Sequence, residues 1–244
     1  MKILFLDIET TPMTAHTWGL WDQNISINQI LEHTEVMCFG AKWYGKDKVV
    51  FKSLHHNGKE DMLKEIHKLI DEADAVVGWN SAAFDIKHLN REFLEAGMFP
   101  PSPAKDIDLM RAVKSKFKFP SNKLDYVAQK LGVGAKVKHS GFDLWIQCMA
   151  NNKKAWKEMK EYQIQDVELL VDLYEKLRPW ITTHPNAALH DDVDSGCRTC
   201  TSLNLERRGF AISSTGKYQR YQCKDCGSWM KGTKSLATSK LGNA

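Results

Sequence analysis

The segment Lys2-Ile-Leu-Phe-Leu-Asp-Ile-Glu9 is a short apolar run that reaches two acidic residues at its end. Its length and its large aliphatic side chains predict a buried β-strand. Because alternate side chains of a strand share a face, we expect Asp7 and Glu9 to project from the same side. Two adjacent carboxylates repel each other, and a bound divalent cation would remove that cost. Exposure at the strand end remains the alternative for this pair taken alone.

The rest of the first 180 residues alternates between strand and helix patterns. Further strands are predicted at residues 36–44, 48–53, 75–77 and 107–109. Helices are predicted at residues 59–72, 84–96, 124–131 and 155–177. Strands at the start with helices interleaved afterwards indicate a three-layer α/β fold.

Two later segments supply further carboxylates. Asp85 stands at the start of a predicted helix, where the helix dipole stabilises an acid, and an ordinary helix-start residue explains it equally well. In Tyr162-Gln-Ile-Gln-Asp166 the four-residue spacing puts Tyr162 and Asp166 on one helical face. Leucines continue that face further along the helix, so Asp166 is expected to point inward. Metal ligation would explain an inward carboxylate, and oxygen ligands of this kind suit Mg²⁺ or Mn²⁺.

Taken together, three motifs resemble the exonuclease motifs of the DEDD superfamily. They are Phe5-Leu-Asp-Ile-Glu-Thr-Thr-Pro12, Asn80-x3-Phe84-Asp85 and Tyr162-x3-Asp166. The group is ribonuclease H-like and includes the proofreading domains of DNA polymerases. The Tyr-x3-Asp spacing is similar to its DEDDy branch. The resemblance covers about residues 1–180 and implies a ribonuclease H-like domain with a mixed central sheet.

The resemblance also implies a metal-dependent 3′–5′ exonuclease that uses two Mg²⁺ or Mn²⁺ ions. Asp7 would bridge the ions, Glu9 and Asp166 would hold the ion that activates water, and Asp85 would support the other. Tyr162 would orient the attacking water. Such a site stabilises both the entering and the departing oxygen of the phosphodiester.

The same motifs suggest contacts to the substrate. Asn80 and Phe84 match positions that contact the terminal nucleotide in such enzymes, although a core phenylalanine is an equal alternative for Phe84. Asp106 and Asp108 lie near a predicted strand end, and we expect them to have structural or supporting roles.

Four cysteines near the C-terminus form two Cys-x2-Cys pairs, Cys197/Cys200 and Cys223/Cys226. Two such pairs have the spacing of a tetrahedral structural Zn²⁺ site, and with a predicted hairpin between them the segment resembles a zinc ribbon. A disulfide pair or a redox Cys-x2-Cys is the alternative. Zinc is favoured over these alternatives because a small tail without a hydrophobic core needs a bound metal to stabilise its fold.

Charge is concentrated in this tail, where residues 195–244 hold nine basic and two acidic residues. Basic residues interleaved with aromatic ones predict nucleic-acid binding, with a solvated tail or a protein contact as alternatives. The candidate contacts are Arg207, Arg208, Lys217 and Arg220. The predicted organisation is an exonuclease domain at 1–183, a linker at 184–196, and a zinc ribbon with a basic tail at 197–244.

The favoured function is 3′–5′ exonuclease action on nucleic acid, with DNA favoured, a free 3′ end as substrate and replication or repair proteins as possible partners. A structure-selective endonuclease and a non-catalytic nucleic-acid or replisome adaptor are the alternatives. No apolar run is long enough for a membrane helix, and the N-terminal run indicates a strand rather than a signal peptide. We therefore expect a cytoplasmic, reducing location.

Overall fold

The computed structural model describes residues 1–136 and 139–240, so the last four residues of the predicted basic tail lie outside the described residues. The larger part contains β1 (Ile3–Thr10), β2 (Thr14–Ala15), β3 (Ile30–Glu32), β4 (Val36–Trp43), β5 (Val49–Ser53), α1 (Leu54–Asn57), α2 (Lys59–Asp71), β6 (Ala75–Gly78), α3 (Asp85–Glu95), β7 (Lys105–Asp108), α4 (Leu109–Lys116), α5 (Leu124–Leu131), α6 (Phe142–Met149) and α7 (Lys153–Leu177). The smaller part contains α8 (Ala187–His190), β8 (Leu205–Ile212), β9 (Gly216–Cys223) and β10 (Trp229–Thr238). Within the described ranges, no helix has both the length and the apolar character needed to cross a membrane.

The large part is built on a five-stranded sheet with the order β5-β4-β1-β6-β7. Strand β1 lies at its centre, antiparallel to β4 and parallel to β6, so the sheet is mixed. Leu4, Leu6 and Ile8 of β1 pack with α2 and α3 on one face of the sheet. Ile3 and Phe5 pack with α7 on the opposite face. Helices thus cover both faces, and the predicted three-layer α/β fold with a mixed central sheet is confirmed.

Most predicted elements of the large part are present, with small shifts at their ends. Helix α5 has the predicted bounds, and α7 begins two residues earlier because the Asn152 side chain accepts hydrogen bonds from two backbone amides of its first turn. The predicted strand at 107–109 is instead β7, which ends at Asp108 because that side chain caps α4. The short strands β2 and β3 and helix α4 were not predicted.

The smaller part is a three-stranded antiparallel sheet with the order β10-β9-β8. The predicted hairpin is present as β8 and β9, and β10 adds a strand that the sequence pattern did not indicate. The sheet carries few buried side chains, so packing contributes little to its stability. An interaction other than hydrophobic packing must therefore stabilise this small sheet.

The segment 184–196, predicted as a linker, is tied to both parts of the structure. His184 is buried, with its Nε2 2.7 Å from the Tyr174 hydroxyl of α7. The Arg198 guanidinium donates to the His184 carbonyl at 2.7 Å, and the N-terminal ammonium group pairs with Asp191 at 2.6 Å. The segment also contains the one-turn helix α8. The boundaries of the predicted domains stay a prediction.

Helix α7 lies close to the sheet at Gly40, which is paired with Asp7 in the β1–β4 register. A methyl group at residue 40 would lie 2.9 Å from the side chains of Gln163 and Val167 and 3.2 Å from the Gln163 carbonyl. The absence of a side chain at Gly40 therefore sets the distance between α7 and the acidic residues of β1.

We predict that Gly40→Ala lowers the free energy of unfolding by about 1–3 kcal/mol, because the new methyl group overpacks this contact. The measurement is urea unfolding followed by circular dichroism. Gly232→Ala is the control, since a methyl group there has no heavy atom nearer than 3.8 Å. Equal stability of Gly40→Ala and the parent chain would contradict the described contact.

Candidate active site

Strand β1 carries Asp7 and Glu9 beyond its apolar half, on the face covered by α7. Gln163 of α7 is fully buried, and its Nε2 donates to both the backbone oxygen and Oδ2 of Asp7, each at 2.7 Å. This side chain connects the end of β1 to the helix that carries Tyr162 and Asp166. The first and third predicted motifs are therefore adjacent.

Asp85 reaches the same region from the start of α3. It is 3% exposed, and its Oδ1 accepts a hydrogen bond from the backbone N–H of Ile8 at 3.1 Å. Because Ile8 lies between Asp7 and Glu9, this bond brings the second motif against the first.

The loop before Asp85 is held by two further acids. The backbone N–H of Asn80 donates to Asp108 Oδ1 at 3.0 Å, and the Ser81 hydroxyl donates to Asp106 at 2.7 Å. Asn80 has a φ of 66°, a left-handed conformation that an asparagine tolerates. Asp106 and Asp108 therefore support the loop that leads to Asp85.

Asp7, Glu9, Asp85, Tyr162 and Asp166 form a cluster of side chains, and Lys136 also belongs to it. The sequence patterns did not identify Lys136. Its Nζ contacts Asp166 Oδ2 and lies 2.8 Å from the Tyr162 hydroxyl oxygen. Asp166 is 1% exposed, and its other oxygen, Oδ1, is buried without a hydrogen-bond partner. Residues 132–135, which connect α5 to Lys136, show no helical or strand periodicity, so no local pattern in the sequence identified Lys136.

Burial raises the pKa of every carboxyl group in the cluster, and repulsion from the other acids of the cluster adds to the shift of Asp7 and Glu9. Burial, followed by the charges of Asp85, Glu9 and Asp166, raises the pKa of Asp7 well above its usual range. Burial raises the pKa of Glu9 to about 7, against the lowering effects of Lys136 and the Trp145 indole.

The remaining groups respond in the same direction. Burial raises the pKa of Asp85 to about 7, although hydrogen bonds from backbone amides oppose the shift. Burial also raises the pKa of Asp166, although Lys136 lowers it. The pKa of Tyr162 is raised by burial and then by the Asp166 charge, so its hydroxyl stays protonated at neutral pH.

These properties fit a site for divalent cations. The donors are carboxylate oxygens, one of them is orphaned, and the Lys136 ammonium group already supplies a positive charge among them. In the described ranges, only the four cysteines bring three or more ligand atoms within 4.8 Å of one another. The carboxylate oxygens are spread more widely, as expected for anions that repel one another.

The two predicted nucleotide contacts flank Asp85. Phe84 directly precedes α3 and is 37% exposed, with its ring 4.6 Å from the His88 ring. Its exposure disfavours the alternative of a core phenylalanine. Asn80 lies four residues earlier in the same loop and is partly buried.

The four cysteines of the smaller part converge. Cys197 and Cys226 have their sulfur atoms 3.6 Å apart, as do Cys200 and Cys223, and all four lie within 4.8 Å of one another. These distances are too long for a disulfide bond, and all four are free thiols. The cluster fits a zinc module.

The four basic residues of the smaller part that are predicted to contact nucleic acid lie on two different faces of its sheet. In the strand register, Arg220 pairs with Lys231 and has the Trp229 ring 5.2 Å away, and Arg208 lies 5.6 Å from the same ring. Arg207 pairs with Tyr221, and Lys217 with Ile212, on the opposite face. Because side chains alternate along a strand, the neighbours Arg207 and Arg208 project from opposite faces, as do Lys217 and Arg220, which are three residues apart in β9.

Comparisons with known proteins agree with this geometry. A putative DNA polymerase 060R of Frog virus 3 (isolate Goorha) is 26% identical over 159 residues, which cover 51% of this chain and 15% of that protein. The structure of the family B DNA polymerase from the hyperthermophilic archaeon Pyrobaculum calidifontis superimposes with a TM-score of 0.58 at 16% identity. That superposition covers 91% of this chain and 33% of the polymerase chain, and it shows a shared fold. The chain thus spans a minor part of each relative.

A family model described as the RNase_H superfamily matches residues 4–178. The match covers well over half of the chain and includes the four carboxylates, from Asp7 to Asp166. This chain therefore belongs to the ribonuclease H superfamily.

Proposed function

We propose that this chain is a DEDDy-type 3′–5′ exonuclease that hydrolyses the phosphodiester bonds of nucleic acid, with DNA favoured. The ribonuclease H-like scaffold supports a nuclease that processes nucleic acid. The observation that carries the finer proposal is the convergence of Asp7, Glu9, Asp85 and Asp166 with Tyr162. Each of these carboxyl groups has a raised pKa, and burial is the largest cause of the shift in every case.

Ribonuclease H-like nucleases generally use divalent metal ions. Here Asp7, Glu9, Asp85 and Asp166 would hold two Mg²⁺ or Mn²⁺ ions. When bound, such ions lower the pKa of water and stabilise the entering and departing oxygens of the phosphodiester. Binding the ions would also relieve the repulsion among the buried carboxylates.

The protein's own groups position the reaction. The protonated Tyr162 hydroxyl can donate a hydrogen bond, so it would orient the attacking water rather than remove its proton. Gln163 fixes the Asp7 carboxylate. Phe84 would stack against the terminal base, and Asn80 would contact the same nucleotide.

The smaller part would bind one structural Zn²⁺ through Cys197, Cys200, Cys223 and Cys226, as in a zinc ribbon, and would assist substrate binding. A cytoplasmic location, as expected from the sequence, would keep these thiols reduced and able to bind Zn²⁺. Residues 1–183 would form the catalytic domain and residues 197–244 the ribbon with its basic tail. Arg207, Arg208, Lys217 and Arg220 are its candidate contacts to nucleic acid.

We predict that Asp7→Asn or Asp166→Asn lowers Mg²⁺- or Mn²⁺-dependent degradation of an end-labelled oligonucleotide by more than about 100-fold. Changes that only disturb the support of metal ligands already cost about 10- to 100-fold. Asp172→Asn, an exposed acid on the same helix, is the control and should leave the rate unchanged. Undiminished degradation by either site variant would refute the assignment.

The same assay separates the alternative functions. A chemical block on the 3′ end should abolish the product ladder of the parent chain. A ladder that persists on the blocked probe would indicate an endonuclease, and no degradation of any probe would favour a non-catalytic adaptor.

We predict that, in buffer without Mg²⁺ or Mn²⁺, the free energy of unfolding falls as the pH rises from about 4 to 7. The pKa values of Glu9 and Asp85 are raised from 4.5 and 3.8 to about 7 in the folded chain, so the native state binds protons more tightly than the unfolded state. The double variant Glu9→Gln/Asp85→Asn should show a fall smaller by several kcal/mol, because it lacks both of these shifted groups.

Adding Mg²⁺ at pH 8 should raise the urea midpoint of the parent chain and leave that of the double variant unchanged. Equal pH dependence in the two chains would contradict the described burial of these carboxyl groups. Comparison with the variant removes the contributions of all other ionisable groups, which are the same in the two chains.

We predict that Cys223→Ser weakens binding of an oligonucleotide more than it slows turnover at saturating substrate, because the module would lose its zinc and its shape. Binding is measured by fluorescence anisotropy, and zinc by a colorimetric chelator. Ser214→Ala, at an exposed turn of the same module, is the control. If zinc is lost and binding is unchanged, the module serves something other than the substrate.

A further inference from the structure

Two clefts on the surface share one wall and together form a groove between the two parts of the chain. One has a volume of about 380 Å³ and the other of about 350 Å³. The shared wall consists of Lys116, Trp180, Ile181 and Thr182, and we call the combined feature the Trp180 groove. None of these residues belongs to the motifs that identified the catalytic cluster.

The first end of the groove adjoins the support of the catalytic loop. Asp106 and Asp108 line it, and the same two residues accept the hydrogen bonds from Ser81 and Asn80 described above. Their charges also contribute to the raised pKa of Asp85. This end of the groove therefore shares two side chains with the support of the loop that leads to Asp85.

The second end is formed by the cysteine module. Arg198, which lies between Cys197 and Cys200, lines it together with Trp229. Trp229 is the ring that faces Arg208 and Arg220. The groove thus continues onto only one face of the small sheet, away from Arg207 and Lys217.

The first cleft of the groove is lined by both acidic and basic residues, whereas the second cleft is lined by basic residues without acidic ones. At the catalytic end, Lys105 and Arg111 lie near Asp106 and lower its pKa, although burial raises it overall. Beyond that point the second cleft has no acidic residue in its lining. No ion pair in the described part of the chain involves Lys116 or Arg198, so their charges are free to attract an anion.

Two tryptophans present aromatic surface along the groove. Trp180 is 54% exposed, and its ring meets the Phe117 ring edge-on at 5.1 Å, which restrains it. Trp229 is 48% exposed. A restrained and half-exposed ring loses little conformational entropy when a base stacks on it.

We infer that the Trp180 groove binds a single-stranded stretch of nucleic acid that connects the catalytic cluster to the cysteine module. The inference rests on the proposed function, since it names the path of that substrate. Lys116 and Arg198 contact phosphates, and Trp180 and Trp229 stack on unpaired bases. Each base offers a π-face, so the contact tolerates any sequence.

Other occupants match these residues less well. The bases of a duplex are already stacked and do not offer their faces to Trp180. The centres of protein interfaces are depleted in lysine, whereas Lys116 lies in the wall common to both clefts.

The test measures anisotropy of a 5′-fluorescein 20-nucleotide single-stranded DNA on the full chain carrying Asp166→Asn, so that the probe is not cut. Adding Lys116→Ala and Trp180→Ala should weaken binding at least about 10-fold, since one lost stack alone costs about 1–3 kcal/mol. Lys116→Ala alone should reduce the slope of log affinity against log salt by about 0.7. Arg198 is kept, because its guanidinium also holds His184.

The matched control adds Lys64→Ala and Phe99→Ala, an exposed lysine paired with Glu60 and an exposed ring away from the groove. Binding by the control should stay within twofold of the parent. Equal losses in the two double variants, or no loss in the groove variant, would overturn the inference. A larger loss for duplex than for single-stranded DNA would overturn the single-strand assignment.

A second measurement separates this inference from the proposed function. With Asp166 restored, a four-nucleotide probe is too short to occupy the groove, so the parent and groove variant should cleave it equally. Slower cleavage of this probe by the groove variant would place Trp180 in the catalytic cluster and overturn the inference. If neither chain cleaves any probe, the proposed function fails, and the binding measurement still decides the groove.

Discussion

The acidic side chains at the end of β1 repel one another in a partly desolvated place, and the surrounding structure is organised around that cost. Gln163 donates to Asp7, the Ile8 amide donates to Asp85, and the Lys136 ammonium group contacts Asp166. These partners offset the repulsion only in part, because the pKa of each carboxyl group stays raised and Asp166 Oδ1 has no partner. A cluster that its own protein neutralises incompletely is suited to bind additional positive charge.

Close approach of backbone elements makes this cluster possible. Gly40 lets α7 lie against β4, and at Gly78 a methyl group would meet the Ser81 side chain at 2.7 Å. The first contact sets the distance of Asp166 from β1, and the second folds the loop back toward Asp85. Two glycines therefore fix the positions of carboxylates on three separate elements, and both contacts depend on tertiary structure.

Local patterns in the sequence were sufficient for the central strands and the long helices. Strand β1 was predictable from its apolar run, and α7 from its leucine stripe, which also identified Asp166 as an inward acid. Lys136 was missed because its segment has no periodicity and its role depends on Asp166, 30 residues away. Arg207 and Arg208 lie on opposite faces because side chains alternate along β8, but which of these faces carries Trp229 depends on the pairing of β9 with β10.

In the proposed function, the smaller part would connect substrate binding to the state of its cysteines. Its sheet buries few side chains, so the Cys197–Cys226 cluster and the rings beside Arg208 and Arg220 must supply much of its order. Arg198 lies within the first cysteine pair, and its guanidinium binds the carbonyl of His184, which in turn contacts Tyr174 of α7. A continuous set of contacts thus runs from the cysteines to α7. Because Trp229 and Trp180 line the same cleft from the two parts of the chain, loss of order at the cysteines would change that cleft without direct contact to the carboxylates.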